Sequence, residues 1–386
     1  MVICVLVTGL FGVFFLLNFE EVHTLMRLVS LIKLEYVEQT PMKDLLKGAA
    51  AGMVDALGDP YSVYMDAGET GWIYDYVHGV TGGIGVTFSG QKDMEDRIVI
   101  RSILKDSPAE HEGLQVNDAI MEVDGKALSG YSAEESIAMV RGVPGTTVEL
   151  TVLRPEEPER LRFTLIRDEI DIPTSSAGML PEEDTLDRKI GYLMLARFAS
   201  NTPGMVEEQL RDLADQGMEA LILDLRDNPG GDVASVTKIA RHFIPNGVLA
   251  RPVSRGGEAD DFVVEDSEML KLPFVILING GSASASEILA GAVQDYQTGV
   301  LVGTRSYGKA SIQVIYNLPD GGGLKMTIAK YLTPDGRDIG GVGIEPDISL
   351  ELDAGDAENG GDSQLRQAVR VLLERLEPET EVPRAS

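Results

Sequence analysis

The chain has 386 residues, 44% of them hydrophobic, which gives room for two or three domains with a substantial core. Asp plus Glu number 62 against 33 Lys plus Arg, a formal net charge of −29 that argues against DNA or RNA as a partner, because phosphates are repelled. The single cysteine, Cys4, rules out an internal disulfide, and without a CxxC or His-x-x-x-His cluster no metal or cofactor is implied.

Residues 1–19 are uncharged and almost wholly apolar, and Glu20 and Glu21 end the run. That length suits a helix crossing a bilayer. A signal peptide is the rival reading, but a basic leading segment and a clean Ala-x-Ala site are missing; a buried core helix is the other. The expectation is one membrane anchor with the remainder outside the cytoplasm, in the cell envelope or periplasm, and a true start upstream. Residues 20–75 read as a helical region. Leu25, Leu28, Val29, Ile32 and Tyr36 share one face before the break at Thr40 and Pro41. Leu45, Leu46, Ala49, Met53, Val54 and Leu57 share another, which stops at Gly58, Asp59 and Pro60. These faces must dock on the main body or on a second copy, so a homodimer is one solution.

Between 76 and 155 the texture changes to short strands and turns. Strands are expected at 97–100, 119–123 and 148–153, and helices at 107–110 and 132–141. The order resembles a PDZ domain. Gly83, Ile84, Gly85 and Val86 stand where PDZ domains keep their carboxylate-binding loop, whose successive N–H groups hold a peptide C-terminus while the next strand accepts the peptide as an added strand. Arg141 and Gly142 fit a helix C-terminus; the sharper reading of Arg141 is a sensor of bound peptide.

Beyond 156 the segments 161–170 and 184–190 read as connecting strands around a loop. From 191 strands alternate with helices: a helix at 205–216, a buried strand at 220–225, a helix at 233–243 and a buried strand at 274–278. An α/β sheet covered by helices is expected, with functional loops at the C-terminal ends of the strands. Two loops qualify, 228–231 and 279–284. In the second, a tight turn of small residues leads into a helix start, which exposes free N–H groups and a positive dipole end suited to an oxyanion. Ser282 and Ser284 there are helix caps or, for one of them, an acyl-transfer nucleophile. Gly230 or Gly231 allows a backbone amide to approach an oxyanion opposite Ala285.

The stretches 281–287 and 307–313, with 224–231, 333–337 and 343–347, resemble the carboxyl-terminal processing proteases, a PDZ-containing serine peptidase family. The resemblance runs from the N-terminal helices to about Leu352. It implies a crotonase-like sheet-and-helix protease core (156–352) with a PDZ domain inserted ahead of it, and endoproteolysis near the C-termini of protein substrates with free apolar ends. It assigns Ser284 as nucleophile, Lys309 as general base and Gln313 as the amide partner of the lysine. The backbones of Ala285 and of a loop glycine, Gly230, become oxyanion donors, and Arg141 the sensor. The residues agree with this chemistry. A lysine is a base only when burial or like charge favours its neutral form, and Lys309 precedes an apolar strand. No histidine lies in either stretch. Residues four apart on an ideal strand stand roughly 13 Å apart, so a Lys309–Gln313 contact needs a turn near 308–311. Glu287 shares the helix face of Ser284, yet a carboxylate would hold the lysine protonated, so it reads as structural.

After Leu352 a polar linker leads to a short amphipathic helix at 364–376 and a frayed end. The alternative function is a PDZ adaptor that binds C-termini without cutting; retention of Ser284, Lys309 and Gln313 favours the enzyme. An acyl-CoA enzyme of crotonase type has no use for a PDZ domain.

Overall fold

The structure is a computed structural model that describes residues 18–89, 93, 97–155, 157, 159–353, 356 and 361–377. The chain divides into two compact units, one of Met1–Thr70 with Gln313–Thr327 and one of Gly71–Ile312 with Ile328–Ser386. The apolar span expected at 1–19 lies, apart from Asn18 and Phe19, outside the described residues. Among the described residues no helix is long and apolar enough to cross a membrane.

In the first unit the two expected helices form, Phe19–Glu35 and Met42–Asp55, interrupted at Pro41. Neither buries a residue, and Leu25, Leu28 and Leu34 on one and Leu46 and Met53 on the other are exposed. The strand Val63–Met65 pairs antiparallel with Gly323, Leu324 and Lys325. The Leu318 N–H bond to Gly322 O, 2.8 Å, closes the turn before that strand.

The second unit contains two cores. The first is the PDZ-like sheet, in the order Val86–Phe88, Ile98–Ile103, Ala119–Val123, Thr147–Leu153 and Leu161–Ile166. Its interior is apolar, with Ile98, Ile100, Ile120, Val148, Val152 and Leu165 fully buried. Helix Ala133–Val140 starts at a reciprocal cap, in which Ser132 Oγ accepts from Glu135 N–H and Glu135 Oε2 accepts from Ser132 N–H. The sheet continues past Pro155, where the local texture changes: Leu161–Ile166 pairs antiparallel along all of Thr147–Val152. Of residues 184–190, expected as a strand, only Ile190 lies in one; Asp184 and Thr185 end the short helix Glu182–Thr185, and Leu186 and Asp187 turn left-handed. The acidic side chains of Glu182, Glu183 and Asp184 favour a helix start there.

The second core is a six-stranded sheet. Strand β1 (Ser175–Met179) lies antiparallel to β2 (Ile190–Leu195), and β3 (Ala220–Asp224), β4 (Phe274–Ile278), β5 (Val300–Gly303) and β6 (Ile348–Ser349) follow in parallel. Every residue of β3 and β4 is buried, so both faces of the sheet need cover. Leu193, Leu221, Leu223, Ile276 and Leu301 face α1 (Thr202–Asp215), α2 (Val233–Ala240) and α3 (Ala285–Tyr296). Ile190, Ile222, Val275, Leu277 and Val302 face Ala368, Val369 and Leu372 of α4 (Ser363–Leu376). The C-terminal helix, whose role is open in the sequence, is thus the cover of the second face. Arg226 fixes its start: the guanidinium pairs with Asp224 at 2.6 Å and with Asp362, the N-cap of α4, at 2.8 Å.

Phe243, fully buried, meets Phe274 edge to face at 5.3 Å. Replacing Phe243 by Ala is expected to lower unfolding free energy by about 3–5 kcal/mol, measured by denaturant titration of the full chain.

Candidate active site

Two loops at the C-terminal ends of β3 and β4 build the site, and they are stitched together by buried polar groups. Asn228, fully buried, donates from Nδ2 to Leu195 O at 2.8 Å, and its own carbonyl accepts from Ala283 N–H at 3.0 Å and Ser286 Oγ at 2.9 Å. Ser282 donates its hydroxyl to Leu225 O at 2.7 Å and accepts from Asn279 N–H. Of the two serines read as caps or nucleophile, Ser282 is therefore fully buried and structural. Ser284 is half-buried at the entrance to α3, with φ +55° and ψ −115°. For a residue with a Cβ that left-handed conformation is strained by about 1–3 kcal/mol, so the surrounding bonds must hold it.

Those bonds converge on Glu287. Its side chain is fully buried. Oε2 accepts from the N–H groups of both Ser284 and Lys309, each at 2.9 Å. Oε1 accepts from Gly308 N–H at 2.6 Å and from Ser306 Oγ at 2.5 Å. With four donors on two oxygens, the carboxylate is occupied as a structural acceptor, as the charge reasoning from sequence expects. Tyr331, also buried, closes the same pair from the carbonyl side: its hydroxyl lies 3.0 Å from Ser284 O and 2.9 Å from Lys309 O. Burial, and then the neighbouring Glu287 charge, pushes the Tyr331 phenol well above its ordinary value, so it remains a donor. Ser284 and Lys309 are thereby brought together through shared partners on both faces of their backbone. Sequence reading does not single out Tyr331, although the 333–337 motif begins two residues later.

Lys309 is half-buried. The expected turn before it is present, with Gly308 at φ +88° and regular strand beginning only at Ser311. A Cβ on Gly308 would stand 2.9 Å from Gly343 N, so the turn is also tightly packed. Among the described residues the Ala285 N–H has no acceptor, and it opens the first turn of α3. Gly230, at φ +94°, lies against it: a Cβ there would meet Ser284 Cβ at 2.7 Å and Ala285 N at 2.8 Å. Gly230 thus keeps the space beside the Ala285 amide open, while its own N–H donates to Asn228 Oδ1 at 2.9 Å. Gln313 belongs to the other unit, where its Nε2 donates to Thr327 Oγ1 at 3.1 Å.

The remaining expected residues meet in the PDZ-like sheet. Gly83, Ile84, Gly85, Val86 and Arg141 line one groove of about 280 Å³, with Ile170 among its apolar walls. Gly85 is left-handed and a Cβ there would strike Ser107 Cβ at 2.2 Å. Val80–Gly83 pairs with Asp168–Asp171, which holds the loop from below. Arg141 is exposed and does not cap the preceding helix by its side chain. That task falls to Arg167, buried 27 residues further on, which donates to Val140 O at 2.9 Å and Met139 O at 3.1 Å.

Known proteins resemble the chain along most of its length. The pattern of peptidase family S41 matches residues 189–350, that of the PDZ domain residues 77–153, and that of the activating protease CtpB N-terminal domain residues 16–70. The carboxy-terminal processing protease CtpB of Bacillus subtilis is 34% identical over 344 residues, 89% of this chain and 70% of that protein. The carboxy-terminal-processing protease of Bartonella bacilliformis is 33% identical over 352 residues, 88% of this chain and 78% of that protein. Among solved structures, the photosystem II D1 C-terminal processing protease is 28% identical, covers 88% of this chain and 89% of its own, and superposes with a TM-score of 0.51. Fold and site define a serine-type peptidase that carries a PDZ domain and acts on proteins or peptides. The chain belongs to the carboxy-terminal processing proteases of peptidase family S41.

Tyr331→Phe keeps the ring and removes the hydroxyl that joins Ser284 O to Lys309 O. Stability should fall by about 1–3 kcal/mol, the cost of unsatisfied buried acceptors. The turnover number should fall roughly 10–100-fold from misplacement of the two residues, read from peptide hydrolysis at a temperature where the variant is fully folded.

Proposed function

We propose that the protein is a membrane-anchored endopeptidase that cuts protein substrates near their C-termini by a Ser284–Lys309 mechanism, with the PDZ domain binding substrate C-termini and gating the cut. The observation that carries this reading is the double attachment of Ser284 and Lys309 to one carboxylate oxygen of Glu287 and to one hydroxyl of Tyr331.

In this mechanism the neutral Lys309 amine takes the proton from Ser284 Oγ as that oxygen attacks the scissile carbonyl carbon. Charge develops on the carbonyl oxygen, where the free Ala285 N–H and the positive end of α3 stabilise it. A second donor from the Gly230 amide requires its bond to Asn228 Oδ1 to be shared. The lysine ammonium then protonates the leaving amine, the C–N bond breaks and an ester to Ser284 remains. Water, deprotonated by Lys309, hydrolyses that ester and restores the serine. Gln313, uncharged, orients the lysine without holding it protonated.

The N–H groups of the Gly83–Val86 loop take the substrate carboxylate, and the apolar groove favours an apolar final side chain. Arg141, exposed on that groove and not needed as a helix cap, senses occupancy. Residues 1–19 provide the anchor and place the catalytic part outside the cytoplasm. The exposed apolar residues of the two N-terminal helices provide the contact for a second copy. An idle adaptor would be expected to have lost the nucleophile or the base, and both stand in the chain.

The test uses the soluble part from about residue 20, as wild type, Ser284→Ala, Lys309→Ala and Arg141→Ala. The substrate is an unfolded protein ending in apolar residues, as free acid and as C-terminal amide, with products read by mass spectrometry. Wild type should cut the acid faster than the amide; Ser284→Ala should be inactive. Lys309→Ala should lose roughly 10²–10⁴-fold, the usual contribution of a general base. Arg141→Ala should bind the acid but lose its advantage over the amide. An unchanged rate in Lys309→Ala removes the lysine from the mechanism, and equal cutting of acid and amide removes the gate.

A further inference from the structure

The loop that carries Gly230 begins at a buried cluster of charges inside the second unit. Asp224 ends β3 and turns the chain, its Oδ1 accepting from the Arg226 N–H at 2.9 Å. The Arg226 side chain folds back on the same carboxylate: Nε donates to both oxygens at 3.0 Å and Nη2 donates to Oδ2 at 2.6 Å. The other edge of the guanidinium meets Asp362, where Nη1 donates to Oδ1 at 3.1 Å and Nη2 lies 2.8 Å from Oδ2. Nη1 also donates to Gln364 Oε1 at 3.1 Å, and Gln364 Nε2 donates to Leu350 O at 2.7 Å. From β2, Tyr192 gives its hydroxyl proton to Asp224 Oδ2 at 2.6 Å. The Arg226 and Asp224 side chains are only 13% and 6% exposed, so water is a poor substitute for any of these bonds.

Ion pairs so far from water add little net stability over apolar side chains of the same volume, because desolvation offsets their attraction. What a planar guanidinium adds is direction, since carboxylates on two of its edges lock the plane. From Arg226 the loop runs on through short, bonded steps. Asp227 exchanges bonds with Asn279: its N–H donates to Asn279 Oδ1 at 2.9 Å and its Oδ1 accepts from Asn279 Nδ2 at 3.0 Å. Asn228 Oδ1 accepts from Gly230 N–H at 2.9 Å, and a Cβ on Gly230 would stand 2.8 Å from Ala285 N. The start of α4 thus serves as the reference point for a loop that borders the Ala285 amide. Asp362 and Gln364 lie beyond residues 189–350, which the pattern of peptidase family S41 covers.

We propose that Arg226, clamped between Asp224 and Asp362, is a positioning residue for peptide-bond cleavage, which sets the 228–231 loop beside the Ala285 amide. The C-terminal helix then has a part in stabilising the oxyanion, besides covering the second face of the sheet. The proposal rests on the reading of Ser284 as nucleophile and of the Ala285 amide as oxyanion donor.

The test compares wild type, Asp362→Ser, Arg226→Lys and the double variant in the full chain. Asp362 Oδ1 also caps α4 by accepting from Leu365 N–H at 2.8 Å, a task a serine hydroxyl performs, so Asp362→Ser removes the tie to Arg226 and keeps the cap. Arg226→Lys keeps the charge and loses the fork. For each, kcat and KM on a peptide ending in apolar residues are measured beside inhibition constants for a peptide aldehyde and the matching alcohol. Ser284 Oγ adds to the aldehyde carbon, the carbonyl π bond opens, the serine proton passes to Lys309 and the oxygen becomes an anion facing Ala285 N–H; the alcohol forms no such adduct. Each single variant should lower kcat about tenfold with KM unchanged, the kinetic equivalent of one hydrogen bond made in the transition state. The preference for aldehyde over alcohol should fall by the same factor, and the double variant should be no worse than the poorer single one. An inhibition constant is read on folded enzyme alone, so a lower kcat with an unmoved preference means lost enzyme and overturns the proposal. A normal kcat in Asp362→Ser, or losses that add in the double variant, overturns it as well. If wild type binds the aldehyde no better than the alcohol, the oxyanion reading fails first and the proposal falls with it. Should Arg226→Lys not fold, kcat and the aldehyde preference of Asp362→Ser decide alone.

Discussion

A buried carboxylate with four donors is the constraint on which the arrangement of Ser284 and Lys309 depends. Glu287 is removed from water, and an isolated charge so placed is destabilising by several kcal/mol on the order-of-magnitude scale for buried ions. It is tolerable because two backbone amides of the loop before the strand Ser311–Asn317, a hydroxyl, and the amide of Ser284 all point at it. Bonds to a charged acceptor are about twice as strong as neutral ones. The consequence is that the loop carrying Lys309 cannot leave without exposing that charge. The position of the lysine relative to the serine is therefore set by the solvation of a third group that does no chemistry.

Tyr331 completes the restraint with opposite polarity. Glu287 accepts from the two N–H groups while the phenol faces the two carbonyls, so Ser284 and Lys309 are each held at both their N–H and their C=O. This double hold accounts for how Ser284 keeps a left-handed conformation that a serine does not choose. The strain has a use. Turning Ser284 this way directs the chain sharply from β4 into α3, whose first N–H, that of Ala285, has no intrahelical partner, as at any helix start. Small residues then follow by necessity, because Gly230 and Gly308 occupy places where a Cβ would collide with the backbone that forms the site.

Much of this was legible in the sequence, and the remainder was hidden for definite reasons. Ser284, Lys309 and the two loops stand out because small residues and glycines cluster there, interrupting otherwise apolar strands. The pairing of helices with a sheet followed from buried runs such as Phe274–Ile278. The part of α4 was derivable in principle: strands buried on both faces need two layers of cover, and the other long helices pack on one side. Tyr331 was hidden because a tyrosine in an apolar strand looks like ordinary core. Arg167 was hidden because it caps a helix that ended 27 residues earlier, and proximity in sequence pointed to Arg141 instead. Strand Leu161–Ile166 was placed outside the PDZ-like sheet because Pro155 and a charged turn precede it, whereas membership was decided by its antiparallel ladder with Thr147–Val152.

The same strand leads to the way in which the peptide-binding groove is tied to the catalytic sheet. From Leu161 the chain first completes the PDZ-like sheet, then pairs through Asp168–Asp171 with Val80–Gly83 at the base of the Gly83–Val86 loop, and four residues later enters β1. Gly79, immediately before that loop strand, is held from two directions: Ile172 N–H and Asn201 Nδ2 both donate to its carbonyl, at 2.8 and 3.0 Å. Asn201 is the N-cap residue of α1, and Thr202 beside it bonds Thr174 at 2.7 Å. The Gly83–Val86 loop is thus anchored to the first strand and first helix of the protease core by backbone and side-chain bonds. A Cβ at Gly79 would stand 2.2 Å from Asn201 Oδ1, so the join is packed as closely as the catalytic loops are. Any change in the loop on binding a peptide end must therefore be absorbed by bonds to α1 and β1, which makes this join, more than the groove alone, the physical link through which a gate of this design would act.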